Sequence, residues 1–356
     1  MLARLLNQII KKNIYLPAQI TFYITSQSNT LDELRFNKNK IESTTADLNL
    51  SEIEKTFETL KNVSAVDLAG GEPFLREDIV EICAVLCKSN VPDRIRIITN
   101  GINTAVIESQ VRQILKKVKV PLTIILSLDN LNSNQDELTG VSGGFDSLLE
   151  TYKKLTLLKN HYPSLSCEIS TIIYNKNIDK IQDIINFVKE ELPQIDFHHI
   201  AFIDKDQENQ KNRLPHINSL EARKTFILRA WEYYNQKKQA TFIKKWFVRA
   251  VYNNLIETYL TIIKNQKMTL SCYAGKTYAV IYPDGRVGFC SSGAIIDNLR
   301  DYQFNFPRLW YSYKARESRE AIKQKTCFCN NETAVFYNIL SDFRLYPSLL
   351  KNLFVN

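Results

Sequence analysis

Through the first two-thirds of the chain, short apolar or β-branched runs alternate with stretches whose apolar positions recur at helical spacing. The short runs predict strands at Gln19–Thr25, Ala65–Ala69, Arg94–Thr99, Leu122–Ser127, Ser166–Ile173 and His198–Ile203. The intervening patterns predict helices at Ser51–Lys61, Glu77–Cys87, Thr104–Lys117, Phe145–Lys159 and Ile178–Glu191. Ser51 with Glu54 reads as a capping box opening the first of these. Strands that alternate with helices pair in parallel through right-handed crossovers. The pattern therefore predicts an α/β fold, a partial (β/α)6 barrel, with its chemistry at the carboxyl ends of the strands.

Beyond residue 215 the texture changes. A helical pattern runs to 267, broken near Asn235–Ala240. Tyr278–Tyr282 and Val287–Cys290 then flank Pro283-Asp284-Gly285-Arg286, a hairpin signal. The expected organisation is a barrel over 1–215, a basic aromatic helical segment over 216–267, a small α+β cysteine-bearing unit over 268–340 and a tail over 341–356.

Composition adds bounds. At 356 residues, with 44% hydrophobic and 24% charged positions, the chain can bury a barrel-sized core and a smaller unit. No apolar run is long enough for a membrane span. Met1–Asn13 has helical apolar spacing without a small-residue cleavage site after it, and reads as a docking helix or a membrane-surface helix rather than a signal peptide. Seven cysteines with no secretory signal point to a reducing cytoplasm. The net charge of +8 is concentrated: residues 221–267 hold ten Lys and Arg against three Glu, interleaved with aromatics. That segment reads either as a solvated basic face over packed rings or as a site for an anionic ligand. It forms no named nucleic-acid motif, and nucleic acid is not the expected partner.

Two motifs carry the chemistry. Leu68-Ala69-Gly70-Gly71-Glu72-Pro73 closes the second strand, and Ser127-Leu128-Asp129 closes the fourth, with Asn100-Gly101 between them. Far downstream come Cys272-Tyr273-Ala274-Gly275, Gly285 with Cys290, and Cys327-Phe328-Cys329. Together these resemble the radical S-adenosylmethionine (radical SAM) superfamily, with a C-terminal SPASM/twitch-like extension. The resemblance implies a TIM-like partial barrel followed by a small α+β SPASM/twitch-like domain. It also implies cofactor contacts from Gly70, Gly71, Glu72, Pro73, Asn100 and Asp129.

One part of the pattern is missing. The family carries a Cys-x3-Cys-x2-Cys loop for a [4Fe–4S] cluster after its first strand. With Phe36 at the aromatic position that follows, Ser28, Asp32 and Arg35 fall where the cysteines belong. No alignment shift restores them, because no cysteine precedes Cys83. A hydroxyl, a hard carboxylate and a permanent cation do not replace three thiolates. The expectation is a degenerate member, a pseudoenzyme without its N-terminal cluster. Arg35 is then expected to enter the vacated space and pair with Asp32 or Glu72. The Gly-Gly-Glu-Pro loop either still holds S-adenosylmethionine or serves only as a tight turn. Cys272, Cys290, Cys327 and Cys329 form a four-thiol set that either binds zinc or an auxiliary iron–sulfur cluster, or is a reduced relic.

Among other residues, Cys83, Cys87 and Cys167 read as core. His198-His199 should send one ring to each face of its strand. The expected role is binding a small ligand or a protein partner, such as an active radical SAM relative or a peptide or protein substrate. The rivals are a non-radical enzyme in the old pocket, using Glu72, Asp32 and Asp129, and a radical enzyme that depends on a partner's cluster.

Overall fold

The computed structural model describes residues 16–31, 34, 41, 45–89, 92–204, 213–237, 241–324 and 331–347. The expected Met1–Asn13 helix, Asp32, Arg35 with its proposed pairing, Cys327 and Cys329 lie outside these residues.

Six parallel strands form the body: β1 (Gln19–Thr25), β2 (Ala65–Gly70), β3 (Arg94–Thr99), β4 (Leu122–Ser127), β5 (Leu165–Ile173) and β6 (Phe197–Phe202). Between them come the helices α1 (Leu50–Thr59), α2 (Ile79–Ser89), α3 (Thr104–Lys117), α4 (Ser133–Thr139), α5 (Gly144–Lys159) and α6 (Ile181–Glu191). The short α4 has no counterpart in the sequence reading; too few residues carry its period. The cap of α1 also differs. Asn49, not Ser51, accepts from the N–H of Glu52 at 3.0 Å, and the Glu52 carboxylate accepts from the N–H of Asn49 at 3.0 Å. The same box chemistry is shifted two residues toward the amino end, and Ser51 is left exposed.

The long segment after β6 forms α7 (Ile217–Lys237) and α8 (Phe242–Asn265), which pack on each other. The chain then returns to the sheet. β7 (Tyr278–Ile281) pairs in parallel with β1, and β8 (Arg286–Gly288) and β9 (Ile295–Asn298) follow antiparallel. The strand order is β6-β5-β4-β3-β2-β1-β7-β8-β9, an open sheet. The hairpin at 283–286 forms as its turn residues predict. Its strands continue the barrel sheet, because the unpaired edge of β1 needs a partner for its N–H and C=O groups. The last described α-helices are α9 (Phe306–Trp310), α10 (Tyr313–Lys323) and α11 (Glu332–Ser341), the last packed on α8.

The barrel body separates its polarity by strand alternation. On β5 the residues Leu165, Cys167, Ile169, Thr171 and Ile173 are buried under the helices. Glu168, Ser170 and Ile172 turn to the concave side. On β3, Ile95 and Ile97 go outward into the core while Arg94 and Arg96 go inward. Cys83 and Cys167 are fully buried in that outer core, and burial raises both thiols above their ordinary range.

Asn49→Ala should cost about 1 kcal/mol of stability, the usual worth of an N-cap. Ser51→Ala should change it by less than about 0.5 kcal/mol. Urea unfolding of both variants checks which residue caps α1.

Candidate functional site

The loop after β1 and the Gly-Gly-Glu-Pro loop after β2 meet backbone to backbone. Gly71 N–H donates to Thr25 O at 3.0 Å, and Glu72 N–H donates to Gln27 O at 2.7 Å. A Cβ on Gly71 would fall 1.8 Å from Gln27 O, and one on Gly70, at φ +144°, 2.4 Å from Thr25 O. Only glycine allows this approach. Pro73 opens a short 3₁₀ turn.

Glu72 is 1% exposed, and its carboxylate is engaged inside the protein. It accepts from Phe74 N at 3.1 Å, Thr99 Oγ1 at 2.8 Å and Asn100 N at 2.8 Å. Burial pushes its pKa up from 4.5 to about 7, against the hydrogen bonds from Asn100, Phe74 and Thr99, which favour the charged form. Asn100 Nδ2 donates to Asn29 Oδ1 at 2.7 Å, tying the third strand's loop to the first. Ser28 is exposed, and its hydroxyl donates to Thr30 O at 3.1 Å and accepts from Thr30 N at 3.2 Å. Asp129 is fully buried and accepts from Ile172 N at 2.5 Å. Gly70, Gly71, Glu72, Pro73 and Asn100, the residues expected to contact the cofactor, thus converge on one junction of three strand ends. Asp129 serves a separate junction between β4 and β5.

The cluster fits this junction poorly. Its single described candidate ligand, Ser28, is a hydroxyl closed into its own turn. At the other end, Cys272 and Cys290 are half-buried. Among the described residues, no group of three or more His, Cys, Asp or Glu side chains is arranged to hold a metal ion.

A second site lies inside the barrel. The concave faces of β1 to β7, with Tyr252 of α8 and Phe336 and Tyr337 of α11, line a cavity of about 380 Å³ that is partly open. Its wall is charged. Asp67 accepts from Arg96 through both carboxylate oxygens, Nε–Oδ1 being 2.6 Å, and from Gln19 Nε2 at 2.6 Å. Gln19 in turn accepts from the Tyr337 hydroxyl. His199 meets Glu168 at 2.7 Å through Nε2 and lies 3.8 Å from Glu332 through Nδ1. Burial works against the imidazolium, but the two carboxylates outweigh it and raise the His199 pKa above 6.5. Its neighbour His198 faces the other way. It is fully buried beside Thr171 Oγ1 at 2.8 Å, and burial, with the nearby His199, pushes its pKa down to about 3.

Sequence pattern singles out His198-His199 but not Arg94, Arg96, Asp67 or Glu168. The signal was present in Arg94-Ile95-Arg96-Ile97. Where helices cover the outer face, the polar positions of an alternating strand must face the interior. Of the aromatics in 221–267, Trp231, Tyr234 and Tyr259 are buried in packing while Phe242 is exposed, and Lys237 lies over the rings of Tyr233 and Tyr234.

Residues 35–188 match the family model described as the radical SAM superfamily. The chain is 30% identical over 159 residues to a "Probable GTP 3',8-cyclase" of Methanococcus maripaludis strain C5, covering 42% of this chain and 51% of that protein. It is 27% identical over 135 residues to an "Fe-coproporphyrin III synthase" of Methanosarcina barkeri, covering 38% and 31%. The chain spans about half the length of the first of these and less of the second. Among solved structures, SuiB of Streptococcus suis bound to S-adenosylmethionine superposes with TM-score 0.59 at 18% identity, covering 87% of this chain and 69% of that one. AnSMEcpe with bound AdoMet and the Cp18Cys peptide gives 0.57 at 15%, covering 94% and 98%. At these identities the superpositions speak for the fold.

Two outcomes follow for the junction. Gly71→Ala should cost more than about 2 kcal/mol, since backbone must move, whereas Gly143→Ala, with open space around it, should cost only the left-handed penalty of about 1–2 kcal/mol; urea unfolding compares them. Glu72 holds its proton more tightly folded than unfolded, so its contribution to stability falls as pH rises from 4.5 to about 7 and levels off above. His199, also raised, adds a loss of the same sign. Thermal melts across this range should show a shallower decline in Glu72→Gln than in the parent.

Proposed function

We propose that this chain, whose residues 35–188 match the radical SAM superfamily model, binds a small ligand inside its barrel and runs no radical chemistry through a cluster of its own. The observation that carries the reading is the cavity of about 380 Å³, walled by charged side chains that the fold goes to the cost of burying. The first 82 residues, which include the loop after β1, hold no thiol. In this reading the Gly-Gly-Glu-Pro loop is retained as a brace between β1, β2 and β3. Glu72 gives its oxygens to Phe74, Thr99 and Asn100 rather than to a nucleoside.

The two relatives named above carry different activities, a GTP cyclase and an iron-coproporphyrin synthase, and neither is matched over its full length. They supply no single substrate, and the ligand class is argued from the cavity instead. A second reading has one specific support. His199, held between Glu168 and Glu332 on the cavity wall, is equipped to hold and move a proton. An enzyme with acid–base chemistry in the same cavity is therefore the alternative to a pure binder.

The test is reductive cleavage of S-adenosylmethionine after anaerobic reconstitution with iron and sulfide. No cleavage above the protein-free control is expected. Turnover that depends on the protein would overturn the proposal.

A further inference from the structure

Resting on the reading that the barrel interior is the binding site, we infer that Arg94 is an oxyanion anchor, and that the ligand carries a carboxylate or a phosphate. Arg94 opens β3 and faces the cavity, half-buried, beside the fully engaged Asp67–Arg96 pair. Its Nε–H is buried without a hydrogen-bond partner. No carboxylate among the described residues lies within ion-pair distance of it. Asp67, the acid nearest in the strand ladder, already serves both arms of Arg96 and the Gln19 amide. Glu168 is turned to His199. Burial and the adjacent Arg96 work against the charge on Arg94, and the pull of the nearby Asp67, Tyr337 and Glu168 only partly offsets them, yet a guanidinium does not give up its proton in a protein.

A cation kept in such a place costs stability unless something pairs with it. The planar fork of a guanidinium matches the paired oxygens of a carboxylate or phosphate. The space beside it is of the size that small-molecule sites use. His199, with its pKa raised, stands on the same wall as a second donor to an anionic or polar group. These features belong to the interior face and owe nothing to the cluster loop.

Two probes separate the sources of the oxyanion: inorganic phosphate and malonate, each titrated calorimetrically against the full chain at matched ionic strength with chloride as the control. Saturable binding of at least one probe is expected, weakened at least about tenfold in Arg94→Gln, the loss of one charge-assisted fork. Lys245→Gln, on the outer basic segment, should bind like the parent. Stability adds a readout that a purely structural arginine would not give. In probe-free buffer Arg94→Gln should melt at a higher temperature than the parent, because an unmatched cation is removed. Arg94→Lys should keep the fold and recover only part of the affinity. Saturation by phosphate alone assigns a phosphate ligand, and by malonate alone a carboxylate. No saturable binding of either probe, equal binding by Arg94→Gln, or binding lost only in Lys245→Gln would overturn the inference. Cleavage of S-adenosylmethionine does not enter this measurement, so its failure and that of the broader proposal are told apart.

Discussion

Asp67 is 3% exposed inside the barrel, and its carboxylate is stable there because two neighbouring strands supply donors and a helix holds one of them in place. Arg96 of β3 takes both oxygens, Gln19 of β1 adds its amide, and Tyr337 of α11 holds Gln19 in turn. Removing any one donor would leave a buried charge short of partners, at a cost of several kcal/mol, about 3–5 for the ion pair itself. The network fixes the inner faces of three adjacent strands and ties the C-terminal helix to them. It also uses up Asp67, which is why a second arginine two residues away is left to face the cavity.

The strand ends and the interior of the fold then play different parts. At the strand ends, the glycines after β2 let two backbones touch, and the Glu72 carboxylate stitches them to β3. These bonds are internal to the protein. In the interior, charge is placed where packing alone would favour apolar side chains. The cost of burying it is the reason to look for function there and not at the loop.

Much of the architecture was legible. β1, β3, β4 and α3 begin and end where the alternation and helical spacing put them, because apolar residues on the covered face set the register. The hairpin announced itself through Pro283-Asp284-Gly285. The attachment of β7 to β1 was not legible, since strand pairing across more than 250 residues leaves no local trace. The cap of α1 was misplaced because Asn49 and Ser51 both suit the role, and only the backbone path decides between them. The interior site was half legible. The alternation in Arg94–Thr99 was read as a strand, while the facing of its arginines depends on which side the helices cover. Glu332 joins His199 only through the tertiary fold.

The most direct measurement is mass spectrometry of the small molecules released when the purified full chain is denatured, alongside its iron and sulfide content. The expected result is a compound bearing a carboxylate or phosphate, approaching one per chain and depleted when Arg94 is replaced by Gln. Stoichiometric iron and sulfide with no such compound would contradict the assignment of function to the barrel interior.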